Sequence, residues 1–156
     1  MKCFVTGGAG FIGSHLVDKL IQKDYHVTVF DNLSSGKKEF IDHHSDCDKF
    51  KFIKGDLLDY DNLKSVIKGH DVVFHIAANP DVRLGAKKPD IAKKDIIATY
   101  NLLDAMRLND VKKIVFSSSS TIYGETPAHP LKEDYGPLLP ISVLIFECLL
   151  RGRYQK

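Results

Sequence analysis

The feature that most constrains this chain is the glycine-rich stretch Thr6-Gly7-Gly8-Ala9-Gly10-Phe11-Ile12-Gly13. A short apolar run, Cys3-Phe4-Val5, precedes it, and a segment with apolar residues at helical spacing follows it. Strand, glycine turn and helix in this order are the setting of a dinucleotide-binding fingerprint. Such glycines make the tight turn, let a pyrophosphate approach the backbone and let the helix pack on the strand. The pyrophosphate then lies at the positive end of the helix dipole.

A second apolar run, Val27-Thr28-Val29-Phe30, ends in Asp31. A carboxylate at this place accepts hydrogen bonds from both hydroxyls of an adenosine ribose and repels a 2′-phosphate, which favours NAD over NADP. Lys37 and Lys38 follow and could bind a phosphate, so both nicotinamide cofactors stay open at this point. In the alternative interpretation the glycines only turn the chain and Asp31 only ends a strand.

Composition and charge exclude several other classes of protein. The chain has 156 residues, the length of one domain. Its net charge of +2 is too small to indicate a nucleic-acid partner. Its three cysteines, Cys3, Cys47 and Cys148, are too few for a disulfide framework and fit a reducing compartment. The amino terminus lacks a signal-peptide pattern, and the apolar stretch from Val143 to Leu150 is too short to cross a bilayer. We therefore expect a cytoplasmic protein without a membrane partner.

Apolar runs alternate with helical or connecting segments along the chain. The runs are Cys3-Phe4-Val5, Val27-Thr28-Val29-Phe30, Phe50-Lys51-Phe52-Ile53, Val72-Val73-Phe74 and Ile114-Val115-Phe116. This alternation predicts an α/β fold, a Rossmann-type doubly wound parallel sheet of about five strands. A polar or glycine-rich segment follows each run. Because such sheets bind ligands outside the carboxyl ends of their strands, the sequence predicts one continuous cleft there.

A cluster of potential metal ligands follows the second strand. It comprises His43, His44, Asp46, Cys47 and Asp48. The spacing of these residues matches no pattern of metal ligands, so we expect a solvated loop and no metal site.

Taken together, these segments resemble the extended short-chain dehydrogenase/reductase family, and within it the NAD-dependent nucleotide-sugar epimerases and dehydratases of the UDP-glucose 4-epimerase type. The resemblance covers residues 1–143, and several separate blocks in the family's order make it specific. The blocks are Thr6 to Gly13, Asp31 to Gly36, Gly55-Asp56-Leu57, His75 to Pro80, Thr99 to Leu103 and Ser117 to Gly124.

The resemblance implies an NAD cofactor, a UDP-sugar substrate and a set of site residues. Ser119 best matches the serine that hydrogen-bonds the reacting sugar oxygen, and His75 is a structural histidine beside the cofactor. Asp95 stands where the family usually has an asparagine. The implied cofactor-binding residues are Gly7, Gly10, Phe11, Ile12, Gly13, Asp31, Asn32, Leu33, Ser34, Ser35, Gly36, Asp56, Leu57, Ile76, Ala77, Ala78, Asn79 and Asp95.

The resemblance ends after Val143, where the family has Tyr-x-x-x-Lys. The tyrosine takes the proton of the sugar hydroxyl, and the charge of the lysine lowers the pKa of that tyrosine. Leu144 and Cys148 stand at these two places, and neither side chain supplies that chemistry. We therefore expect an incomplete NAD-binding domain over residues 1–143, a divergent tail over residues 144–156, no C-terminal substrate domain and no turnover.

A reading-frame shift near codon 144 is our hypothesis for the tail, because a single substitution would not also alter the residues that follow. The hypothesis fails if no frame of the downstream DNA encodes Tyr-x-x-x-Lys.

Two alternative functions stay open: a non-catalytic NAD-binding module, and a methyltransferase-like fold that binds S-adenosylmethionine. The serine run from Ser117 to Ser120 is not typical of the second. A homodimer is compatible with the resemblance.

Overall fold

The computed structural model of the protein describes residues 1–79 and 89–118, with the isolated positions 130 and 132. The chain divides into two compact units. The first comprises Met1–Pro80 with Ile97–Ser117, and the second comprises Asp81–Ile96 with Ser118–Lys156. Ser119, Leu144 and Cys148 lie outside the described residues.

The first unit is built on a parallel sheet. In the part of the chain that the structure describes, the sheet has five strands in the order β3-β2-β1-β4-β5, and each neighbouring pair is parallel. The strands are β1 (Lys2–Thr6), β2 (His26–Asp31), β3 (Phe50–Lys54), β4 (Val72–His75) and β5 (Ile114–Phe116). With β1 in the middle of the order, this is the predicted Rossmann-type doubly wound sheet.

Helices cover both faces of the sheet. They are α1 (Phe11–Gln22), α2 (Tyr60–Val66) and α3 (Pro89–Leu108), of which α3 enters the first unit at Ile97. On β1, Phe4 packs in one core cluster with residues of α2 and α3, and its neighbour Val5 packs in the other with residues of α1. Successive side chains of a strand point to opposite faces, so the continuous apolar character of β1 follows from burial on both sides.

Two local signals fix the ends of α2. The carboxylate of Asp59 accepts a hydrogen bond from the backbone N–H of Asn62 at 3.3 Å and caps the first turn. Gly69, beyond the end of the helix, has a φ of +79°, which a glycine adopts without steric cost. Within the described ranges, no helix has the combination of length and apolar character that a bilayer span needs.

Candidate functional site

The site lies at the carboxyl edge of the sheet, the side on which β1, β2, β3 and β4 end. From β1 the chain turns to β2 and then β3 on one side, and it later crosses to β4 on the other side of β1. In doubly wound sheets the crevice at such a switch point is the usual place of ligand binding. Gly7 follows β1 at this point and Ala77 follows β4.

Two glycines of the turn are required by the chain's own packing. A Cβ added to Gly7, whose φ is +71°, would lie 2.6 Å from the backbone nitrogen of Ala77. A Cβ added to Gly13 would lie 2.1 Å from the carbonyl oxygen of Gly7. Both distances are far below van der Waals contact, so these glycines bring β1 close to β4 and α1 close to the turn.

Gly10 differs from these two glycines. Among the described residues, a Cβ added to it would meet only the carbonyl oxygen of Gly7, at 3.3 Å, and its backbone angles (φ −80°, ψ 173°) suit any residue. The described atoms therefore restrict this position less severely than they restrict Gly7 and Gly13. A ligand that lies against the backbone would leave no room for a side chain here, as the sequence predicts for a pyrophosphate.

The amino end of α1 is open to a negatively charged ligand. Gly10 occupies the N-cap without a side-chain hydrogen bond, and the first turn carries no acidic residue. The N-cap residue and the first turn therefore supply no side chain that meets the partial positive charge of this helix end. Phe11 and Ile12 follow at once, with exposed fractions of 74% and 65%.

Asp31 links the glycine turn to the end of β2. Its carboxylate is buried; Oδ2 accepts the backbone N–H of Ala9 at 3.0 Å and Oδ1 accepts that of Leu33 at 2.8 Å. Each carboxylate oxygen can accept a further hydrogen bond, so capacity for ribose hydroxyls remains. The contact with the ribose stays a prediction, whereas the structure gives Asp31 a role in shaping the turn, which the sequence did not predict.

The segment after β2 folds back on the glycine turn. The amide of Asn32 donates to Asp56 Oδ2 at 3.0 Å, and its oxygen accepts the N–H of Ser34 at 2.9 Å. A Cβ on Gly36 would lie 2.8 Å from the carbonyl group of Ala9, so this segment passes very close to the turn. Ser34 and Ser35 stay exposed there.

The end of β3 contributes two of the predicted residues. Asp56 Oδ1 accepts the backbone N–H of Leu58 at 2.9 Å, which holds the carboxylate beside Asn32. Leu57 packs in the core, and its carbonyl oxygen accepts the side-chain amide of Asn101 at 2.9 Å. Asn101 fixes this loop from α3, and sequence reasoning assigned it no such role.

A buried polar network lies at the end of β4. Thr6 Oγ1 is 2.7 Å from His75 Nδ1, and Thr99 Oγ1 is 3.3 Å from His75 Nε2. The backbone N–H of Ala77 donates to Thr6 Oγ1 at 3.4 Å. His75 is 1% exposed, as expected of a structural histidine. The threonines were missed, although Thr6 begins the glycine-rich stretch.

The predicted site residues are distributed over the first unit, the second unit and the residues outside the described ranges. Four of the predicted segments belong to the first unit, one at the end of each of the strands β1, β2, β3 and β4. In this order they are the glycine turn, Asp31 to Gly36, Asp56-Leu57 and Ile76 to Asn79. Asp95 is half-buried on α3 and belongs to the second unit. The predicted catalytic residue, Ser119, lies outside the described residues.

Comparison with known proteins identifies one family. Residues 3–143 match the sequence model of the "NAD dependent epimerase/dehydratase family". The chain is 40% identical over 146 residues to the UDP-glucose 4-epimerase of Mycolicibacterium smegmatis. This alignment covers 91% of this chain and 46% of that protein. A UDP-glucose 4-epimerase sequence from Klebsiella pneumoniae is 33% identical over 138 residues, 85% of this chain and 99% of that sequence.

Solved structures give the same result for the fold. The UDP-glucose 4-epimerase of Thermus thermophilus in complex with NAD superimposes with a TM-score of 0.87 at 33% identity. That match covers 99% of this chain and 49% of the Thermus chain. The chain therefore spans about half the length of the Mycolicibacterium and Thermus relatives.

Proposed function

Because this chain belongs to the NAD-dependent epimerase/dehydratase family, we propose that it binds NAD at the carboxyl edge of its sheet, through a domain that spans residues 1–143. The observation that carries the proposal is the contrast among the glycines of the turn. Gly7 and Gly13 are explained by contacts within the chain, whereas the described atoms restrict Gly10 less and a ligand would explain the glycine there.

The residues around this turn suit the parts of a dinucleotide. The pyrophosphate lies against Gly10 and the amino end of α1, where the helix dipole attracts negative charge. The adenosine ribose reaches the remaining acceptor capacity of Asp31, whose negative charge disfavours the 2′-phosphate of NADP. Asp56 and Leu57 border the adenine, and the backbone from Ile76 to Asn79 lies near the nicotinamide half.

In this proposal the parent reaction is the epimerisation of a UDP-sugar through a keto intermediate. NAD, when bound, supplies the hydride acceptor and donor of that reaction. Ser119 hydrogen-bonds the reacting sugar oxygen. Leu144 has no ionisable proton and Cys148 has no fixed positive charge, so this chain binds the cofactor without turning over the sugar.

The non-catalytic NAD-binding module is the second candidate, and the residues at positions 144 and 148 favour it over an active epimerase.

A cytoplasmic location and a homodimer complete the proposal. Exposed apolar side chains on α3 support the dimer, since Tyr100 is 68% exposed and Leu103 is 38% exposed.

Calorimetric titration of the purified chain with NAD tests the proposal. We expect one NAD per chain and a loss of affinity of at least about tenfold, or about 1.4 kcal/mol, in Gly10→Ala. Lys112→Ala is the matched control, because Lys112 is exposed and precedes β5 at the opposite edge of the sheet. The proposal fails if the folded chain binds no NAD, or if Gly10→Ala binds it as tightly as Lys112→Ala.

A further inference from the structure

A second cluster of polar side chains lies away from the glycine turn, where α1 meets the loop between β2 and β3. His43 Nε2 is 2.9 Å from Asp18 Oδ1, and His44 Nε2 is 2.7 Å from the same oxygen. The three ligand atoms all lie within 4.8 Å of one another. We propose that Asp18, His43 and His44 bind a divalent transition-metal ion, with zinc as the representative.

The donor set decides the class of ion. Two imidazole nitrogens and one carboxylate oxygen suit zinc, cobalt, nickel and copper, whereas magnesium and calcium prefer oxygen ligands throughout. Zinc binds imidazole nitrogen at about 2.0–2.1 Å and carboxylate oxygen at about 2.0–2.2 Å. Tetrahedral ligands at these lengths are about 3.4 Å apart, so the rings need to move back by roughly half an ångström. Water completes the coordination.

The ion replaces the hydrogen bonds that now hold the cluster. Without metal, imidazole Nε2–H groups donate to the carboxylate. With metal, each neutral ring carries its proton on Nδ1 and offers the lone pair of Nε2, and any histidine that was charged releases one proton to solvent. The carboxylate contributes the negative charge that two neutral imidazoles lack.

The fold fixes the ligands before an ion arrives. Asp18 lies in the middle of α1, and the two histidines end the short 3-10 helix Asp42–His44. Ile41 directly precedes that turn, is 1% exposed and packs in the same core cluster as Val17 of α1. The turn is thereby held against the helix, so little chain entropy is lost when the ligands close on an ion.

Access to the cluster is open on one side. The side chain of His44 is 14% exposed and its ring packs beside Phe50, with centroids 5.6 Å apart. The side chain of His43 is 55% exposed, which leaves a route for the ion and a place for coordinating water. The proposed metal site differs from the sequence-based expectation of a solvated loop without metal. The reason is that Asp18 is distant in sequence and only the fold brings it to the histidines.

Zinc titration of the purified 156-residue chain, after removal of metals with a chelator, tests the proposal. We expect one zinc per chain and a melting temperature that rises with zinc concentration. Asp18→Asn and His43→Gln are each expected to weaken binding at least tenfold, because even the loss of a contact behind a metal ligand costs about 10–100-fold. His43 is the better test position, since its exposed side chain contributes little to folding.

Two control variants separate this site from adventitious binding. His26→Gln removes an exposed histidine outside the cluster and is expected to leave zinc affinity unchanged. Cys47→Ser removes a nearby free thiol and is also expected to bind zinc normally. Cobalt added to the chain should show no thiolate charge-transfer band. Absence of zinc binding, equal binding by His43→Gln, or dependence on Cys47 would each overturn the proposal and leave Asp18 as a hydrogen-bond acceptor only.

Discussion

Substitution of Gly13 by alanine is expected to destabilise the protein through a clash that the chain cannot relieve. The added Cβ would lie 2.1 Å from the carbonyl oxygen of Gly7 and 2.8 Å from the Cα of Gly8. Both atoms belong to the backbone of a turn that β1 and α1 hold at its two ends. A side-chain rotation therefore cannot make room, and the helix or the turn has to move.

Two opposing terms set the magnitude of this effect. Replacing glycine by alanine inside a helix stabilises by up to about 1 kcal/mol. Overpacking costs typically about 1–3 kcal/mol and occasionally more, and a backbone contact at this distance belongs at the upper end. The net loss is then about 2 kcal/mol of unfolding free energy. For a chain of this length it corresponds to a melting temperature lower by roughly 4–8 °C.

Urea unfolding followed by circular dichroism, without cofactor, measures this loss. Gly10→Ala is the matched control, since its added Cβ meets only one atom of the described residues, at 3.3 Å, and an alanine N-cap costs at most about 1 kcal/mol. We expect Gly13→Ala to unfold at clearly lower urea than Gly10→Ala. If the two variants unfold at the same midpoint, the assignment of Gly13 to packing and of Gly10 to ligand binding is wrong.

Three further predictions concern polar contacts within the first unit. His70 Nδ1 donates to the carbonyl of Ile67 and burial lowers the pKa of the ring, so the unfolded chain binds the proton more readily. The contribution of the neutral His70 ring to stability is therefore lost as pH falls below the ordinary pKa of 6.5. In His70→Gln, the urea midpoint should depend less on pH between pH 7 and pH 5, at roughly constant ionic strength. Asp104→Asn should return the raised pKa of Tyr60 toward 10.0, read by ultraviolet titration, because the hydrogen bond to Asp104 is its main cause. Thr6→Val should cost about 1 kcal/mol in urea unfolding, since it removes the hydroxyl beside His75, whereas Thr6→Ser should cost less.

The order of elements, and the edge of the sheet at which the candidate site residues lie, could be predicted from the sequence. Apolar runs, glycines and the acid after β2 are local signals, and each determines structure within a few residues of itself. Parallel strands bring their carboxyl ends to one edge whatever the details of packing. For this reason the sequence alone predicts that the ends of β1, β2, β3 and β4 lie at one edge of the sheet.

Contacts between distant positions could not be predicted in this way. Thr6 meets His75 across adjacent strands, and Asp18 meets His43 and His44 between a helix and a loop. Each of these pairs depends on strand register or on the angle of α1 over the sheet. Neither quantity has a local signature, so the histidines after β2 had no visible partner in the sequence.

In the proposed function, cofactor binding and turnover depend on different parts of this chain. The hydrogen bonds that shape the carboxyl edge, among the described residues, join the glycine turn, Asp31, Asn32, Asp56 and Thr6 within the first unit. None of these contacts uses position 144 or 148, where the proton-transferring pair of the family would stand. In that proposal, a change confined to residues 144–156 removes the proton chemistry and alters none of the residues that form these contacts. Binding of NAD without epimerisation is the behaviour that this separation predicts.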